Sequence, residues 1–155
     1  MTEKNKRQEE NVSSVFDNFK DDFTDMISFF RAYPDYFIDY IKTENTMYDL
    51  VPFQRVYLRG FFRYKKLGIV ASRGISKTDL NVLAHYIKCV LYPNNHLCLA
   101  MPTKEQSAKV VKEKVEEYWR DYPMLKNELI ISKCKFEKDY VKLVFKNGST
   151  LDTLT

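Results

Sequence analysis

Cysteine is sparse in this 155-residue chain: Cys89, Cys98 and Cys134 form an odd set with no C-x-x-C spacing. That argues against a disulfide scaffold and against a thiolate metal site. Cys89 falls in a helical pattern and Cys98 in an apolar run, so both read as small buried hydrophobes. Histidine is scarcer still, and His85 and His96 are too far apart to make a metal pair on one helix turn. No long apolar segment and no signal-peptide pattern occurs, so a soluble, intracellular chain without a membrane partner is expected. Internal repeats and low-complexity segments are absent as well. Acidic residues are missing locally: from Leu50 to Thr78 there is no Asp or Glu, while Arg55, Arg59, Arg63, Lys65, Lys66, Arg73 and Lys77 all lie inside.

What is present suits one domain or a piece of a larger one. Apolar residues make up 45% and aromatics 15%, and the net charge of +4 is too mild to identify a nucleic-acid partner. The local run of basic residues is more telling. Arg55, Arg59 and Arg63 recur at i, i+4 and i+8, which stacks three like charges on one helix side at a small cost each. A phosphate or a carboxylate partner would relieve that repulsion, as would water and salt.

The stretch that organises the rest runs from Leu67 to Thr78. A short apolar run, Ile69 to Ala71, is expected as a strand and feeds a polar loop ending in Lys77-Thr78. Leu80, Leu83, Ala84, Ile87, Val90 and Leu91 then fall on one face of a helix. Strand, loop, Lys-Thr and helix is the layout of a phosphate-binding loop. Backbone N–H groups at a helix N-terminus cradle a polyphosphate, a lysine reaches its outer phosphates, and a hydroxyl holds Mg²⁺. The strict form G-x-x-x-x-G-K-[ST] is missed twice, with Ala71 at the first glycine and Ser76 at the second. Both are small, and Gly74 adds one position free of Cβ constraint. Ser76 would accept a positive φ less well than glycine.

Residues 1–11 are charged, lack apolar anchors and read as a mobile tail. Val15/Phe16, Phe19, Phe23, Met26/Ile27 and Phe30 recur at helical spacing as a packing stripe ending near Pro34, and Tyr36 to Ile41 predicts a second short helix. Pro52 suits the start of a helix over Phe53 to Tyr64. Tyr92-Pro93-Asn94-Asn95 is a turn cluster, followed by His96 to Met101 as a strand parallel to the first. Thr103 with Gln106 predicts the N-cap of a helix to about Asp121, with Ala108, Val111, Val115 and Tyr118/Trp119 inward. Leu129 to Ser132, Lys135 to Phe136, Val141 to Phe145 and Ser149 to Leu154 favour strands, with Asn147-Gly148 as a hairpin turn. The expected architecture is thus α/β: N-terminal helices, a parallel β-α-β core of P-loop NTPase type, and a C-terminal β-hairpin. A sheet broken off at Leu154-Thr155 would carry an unpaired edge there.

Taken together, these motifs resemble the N-terminal ATPase part of phage terminase large subunits, over about Phe29 to Thr155. Phe30-Arg31-Ala32-Tyr33-Pro34-Asp35-Tyr36-Phe37 resembles the helical lead-in of one lineage, and Leu50-Val51-Pro52-Phe53-Gln54 its adenine-recognising Q motif. Ala71-Ser72-Arg73-Gly74-Ile75-Ser76-Lys77-Thr78 resembles its Walker A loop, and Leu99 to Ala108 the strand and helix start that follow. The resemblance implies ATP and Mg²⁺ as ligands. Gln54 would meet the adenine edge, Ala71, Ser72, Gly74, Ile75 and Ser76 would form the cradle, and Lys77 would lie on the phosphates. Thr78 would lie on Mg²⁺, and Arg73 would sense or stabilise the γ-phosphate as the catalytic residue.

The implied function is the ATP-binding portion of a viral DNA-packaging motor in the host cytoplasm. Its implied partners are double-stranded DNA, a small terminase subunit and a portal, with homo-oligomers only in the complete motor. Two features of the family are missing: an apolar strand ending in Asp-Glu, and a carboxylate-rich nuclease. The apolar runs after Met101 end instead in Ser132-Lys133, Lys138 and Lys146-Asn147. The expectation is therefore an incomplete domain, inactive alone, divided into a tail at 1–11, a helical lead-in at 12–49 and a partial P-loop ATPase domain at 50–155. The alternatives are the front of another helicase-like P-loop ATPase, or a fragment that only binds.

Overall fold

The computed structural model describes residues 20–154 apart from 45, 47, 48 and 73, with the backbone alone at 104. The expected tail at 1–11, the start of the aromatic stripe at 12–19 and Arg73 lie outside the described residues. Helix α1 is described over residues 20–32, and α2 spans Pro34–Tyr40 with proline in its first turn, where a missing N–H costs nothing. Phe30, Ile38 and Ile41 are buried, whereas Phe23, expected on the packed stripe, is half exposed.

Helix α3 spans Pro52–Arg63, again opened by a proline. Its basic stripe has an internal partner. The wholly buried Asp35 carboxylate accepts two hydrogen bonds from Arg59, Nε at 2.8 Å and Nη2 at 2.7 Å. Arg55 reaches Asp35 at 3.4 Å and grips Asp39 at 2.6 and 3.2 Å. Carboxylates thus relieve the stacked charge on Arg55 and Arg59, which form a clasp between α2 and α3 instead of a free basic face. Burial pushes the Asp35 carboxyl up, but the Arg59 and Arg55 guanidiniums outweigh it and hold the group below the usual carboxylate value.

Helix α4 spans Lys77–Leu91 and is followed by strand β1, His96–Ala100, and helix α5, Lys104–Asp121. Thr103 caps α5 by accepting the Gln106 N–H at 3.3 Å. The short α6, Pro123–Asn127, and a 3₁₀ turn at Ile131–Lys133 lead to β2 (Lys135–Phe136), β3 (Val141–Val144) and β4 (Thr150–Leu154). The sheet order is β1-β4-β3-β2, with β1 parallel to β4 and the other pairs antiparallel. The chain is therefore α/β with a mixed sheet. The β3–β4 hairpin turns at Asn147-Gly148, where Gly148 takes φ +85°. Asn147 Nδ2 donates to the Cys89 and Val90 carbonyls at 2.8 and 3.0 Å, which satisfies the C-terminal end of α4.

Besides Leu129 to Ser132, where an isolated bridge at Leu129 and the 3₁₀ turn stand in place of the expected strand, three expectations need correction. Ile69 to Ala71 does not form a strand: no pairing is recorded for residues 67–72, Ile69 is exposed and Val70 fully so. The parallel partner of β1 is β4, and the run pairs with neither, although the other edge of β1 is open. Secondly, the open edge is not at Leu154, because β4 lies between β1 and β3; β1 and β2 are the edge strands. Thirdly, Cys98 is exposed. The register places Cys98 beside Asp152, and Asp152 beside Lys142, on the polar face of the sheet. Leu99, Val141, Leu143 and Leu151 are buried on the other face. Cys89 is buried as expected, and burial pushes its thiol up to about 12.

The clasp makes a prediction. Asp35→Asn removes the charge that two partly exposed arginines share, and should cost about 1–3 kcal/mol in urea unfolding at neutral pH. Because the folded carboxyl titrates below its unfolded value, its contribution is complete above about pH 4. It is lost as the pH falls through the folded value, so wild type and variant should converge in acid. An unchanged gap at low pH would contradict the clasp.

Candidate functional site

Helix α4 begins where the loop from Ala71 to Ser76 ends, and its first backbone N–H groups face outward from a 15-residue helix. Two residues bend the chain into it. Gly74 takes φ +86° and Ser76 takes φ 54°, ψ 32°, the left-handed region. A serine there carries strain that glycine would not. Loop and helix start are open to solvent: Ser72, Gly74, Ser76, Lys77 and Thr78 are exposed, and Ala71 and Ile75 partly covered. Lys77 folds back over the loop, its Nζ donating to the Ala71 carbonyl and, at 2.8 Å, to the Ser72 carbonyl. The ammonium thus closes a ring across the loop, at the positively polarised end of a helix.

Asp79, in the first turn of α4, is braced from α5. The Tyr118 hydroxyl lies 2.8 Å from the Asp79 carbonyl and 2.9 Å from its carboxylate, and Lys114 Nζ lies 3.7 Å from that carboxylate. The brace fixes the helix start on which the loop stands. Among the described residues, no group of three or more His, Cys, Asp or Glu side chains is placed to hold a metal ion. Thr78 offers a single exposed hydroxyl.

A groove of about 690 Å³ opens beside the loop, between it and α3. One wall is a face of α3 carrying Phe53, Tyr57, Gly60 and Tyr64, and the other is Leu67 to Ser72. Arg59, Arg63 and Lys77 also line it, and among the described residues no carboxylate does. The structure therefore brings Ala71, Ser72, Ile75 and Lys77 together in one concavity. Gln54 stands elsewhere. It is buried in the first turn of α3, its Oε1 accepting the Val51 N–H at 3.0 Å, and it does not line the groove.

No protein-family model matches the chain, and no curated protein is similar to it.

The α3 wall was not singled out from the sequence. Its signal was available: Phe53, Tyr57, Gly60 and Tyr64 recur at i, i+4, i+7 and i+11, one side of a helix. The Tyr118–Asp79 brace joins residues 39 positions apart and has no local signature.

The strain at Ser76 can be measured. Ser76→Gly should raise stability by about 0.5–1 kcal/mol, because relief of the left-handed cost exceeds the extra chain entropy. A lower urea midpoint for the variant would contradict the left-handed geometry.

Proposed function

We propose that the chain binds a nucleoside triphosphate at the loop from Ala71 to Thr78 and forms the nucleotide-binding front of a P-loop ATPase. By its resemblance, that ATPase is a DNA-packaging motor of the terminase large-subunit kind. The observation that carries the reading is the position of Lys77. Its ammonium caps a loop bent by two left-handed residues at the start of a long helix, and it rests there on backbone carbonyls. Carbonyl dipoles are weaker partners than phosphate oxygens, so an incoming polyphosphate would draw the lysine away from them.

In this reading the loop amides and Lys77 hold the phosphates, Thr78 would hold Mg²⁺ through its hydroxyl, and the groove receives the rest of the nucleotide. Mg²⁺, when bound, supplies charge neutralisation between phosphate oxygens. Double-stranded DNA, a small subunit, a portal and further copies of the motor subunit follow as partners from the resemblance. Arg55 and Arg59 are engaged by Asp35 and Asp39, which leaves Arg63 as the arginine of the α3 stripe open to a phosphate. No described helix is long and apolar enough to cross a membrane, which accords with work in a cytoplasm.

Asp79, the acidic residue in the first turn of α4, is held by Tyr118 and Lys114 and so is not free to orient an attacking water. The 155-residue chain is therefore expected to bind ATP without turning it over. Calorimetry with Mg-ATP should give saturable binding that Lys77→Ala abolishes. Equal affinity in the two proteins would remove the phosphate-loop reading, and Lys77-dependent turnover by the chain alone would contradict the inventory of its site.

A further inference from the structure

The groove beside the loop has the makings of a base site, and its walls indicate how a base would be held. We infer that the nucleotide's base is gripped here by stacking and apolar contact, without being read along its hydrogen-bonding edge, so that binding is indifferent to base identity. The inference rests on the nucleotide reading above and deepens it.

The first argument is continuity. One concavity of about 690 Å³ contains both the cationic end, Lys77 with Ala71 and Ser72, and the apolar walls. Its volume lies in the ordinary range for sites that bury a small organic ligand. A triphosphate placed on the loop has its nucleoside end free to enter the space between α3 and Leu67–Val70. Phe53 and Tyr64, both exposed, supply aromatic faces there, and Arg63 a planar guanidinium.

The second argument concerns the polar groups that could read an edge. Discriminating adenine from guanine needs a donor and an acceptor fixed against the base. Gln54, the residue type best suited, is buried at the start of α3, where its Oε1 accepts the Val51 N–H, and it is not on the groove wall. The Tyr57 hydroxyl donates to Asn81 at 3.3 Å. Arg59, which also borders the groove, is held by Asp35 through Nε and Nη2. What the walls chiefly offer is flat or apolar surface, and every base has a face that can use it. Gly60, in the second half of α3, adds no side chain to the floor, and a Cβ there would make ordinary contact with Leu67 at 3.5 Å.

The experiment measures the affinities of the full chain for Mg-ATP, Mg-GTP and inorganic triphosphate, in wild type, Tyr64→Ala, Phe53→Ala and Lys77→Ala. ATP and GTP are expected within about threefold of one another, with triphosphate about tenfold weaker or more, the contribution of one stacked base. Tyr64→Ala and Phe53→Ala, both at exposed positions, should weaken the nucleotides toward the triphosphate value and leave triphosphate itself unchanged. Two results overturn the inference while sparing the nucleotide site: ATP preferred over GTP by tenfold or more, or triphosphate bound as tightly as ATP. Loss of Lys77-dependent binding for all three ligands would remove the nucleotide reading, and this inference with it.

Discussion

The burial of α4 on nearly every side is the constraint on which the rest of the structure depends. Leu80, Leu83, Ala84, Ile87 and Leu91 make one apolar face, but Val82, Tyr86 and Cys89 are equally shielded on another. A helix apolar on so much of its circumference must be enclosed by other elements. Here α3 packs on one side, with α5 and the sheet on others. Inside this packing the Tyr86 hydroxyl donates to the Leu125 carbonyl at 2.8 Å and accepts from Trp119 Nε1 at 3.3 Å. Burial therefore leaves its polar atom satisfied. With its body fixed, α4 presents its first turn at one place on the surface, and the loop from Ala71 to Ser76 ends there.

The clasp between α2 and α3 acts at one remove. Asp35 and Asp39 draw Arg55 and Arg59 to one side of α3, where the Arg59 guanidinium lies over the Tyr33 and Tyr36 rings at 5.0 and 5.6 Å. Drawing them there helps leave the Phe53–Tyr57–Gly60–Tyr64 face of α3 turned toward the loop. The ion pairs thus hold Arg59 at the border of the groove, beside its apolar wall. The opposite wall, Leu67 to Val70, has no strand beside it and is held by far less.

Much of the fold was legible because its signals are local. Pro52 marks a helix start, Thr103 caps α5, and Asn147-Gly148 turns the hairpin, each acting within a few residues, whereas Pro34, expected to end a helix, opens α2. The parallel pairing of β1 with β4 was not legible, because it joins strands more than 50 residues apart and follows from how α4 and α5 pack. Ile69 to Ala71 has strand composition as well, yet it stays unpaired and exposed. In the site, the contiguity of Ala71, Ser72 and Lys77 gave away the loop. The placement of Gln54 depended instead on the N-terminal needs of α3, where an amide three residues past Val51 finds a backbone N–H.

The central claim is that the Ala71–Thr78 loop is a phosphate cradle held closed on its own lysine. The most direct test is a backbone-amide NMR titration of the chain with inorganic triphosphate. Saturable shifts concentrated at the amides of Gly74, Ile75, Ser76, Lys77 and Thr78, and lost in Lys77→Ala, are the predicted result. Shifts absent from those amides at saturation, or unchanged by Lys77→Ala, would contradict it.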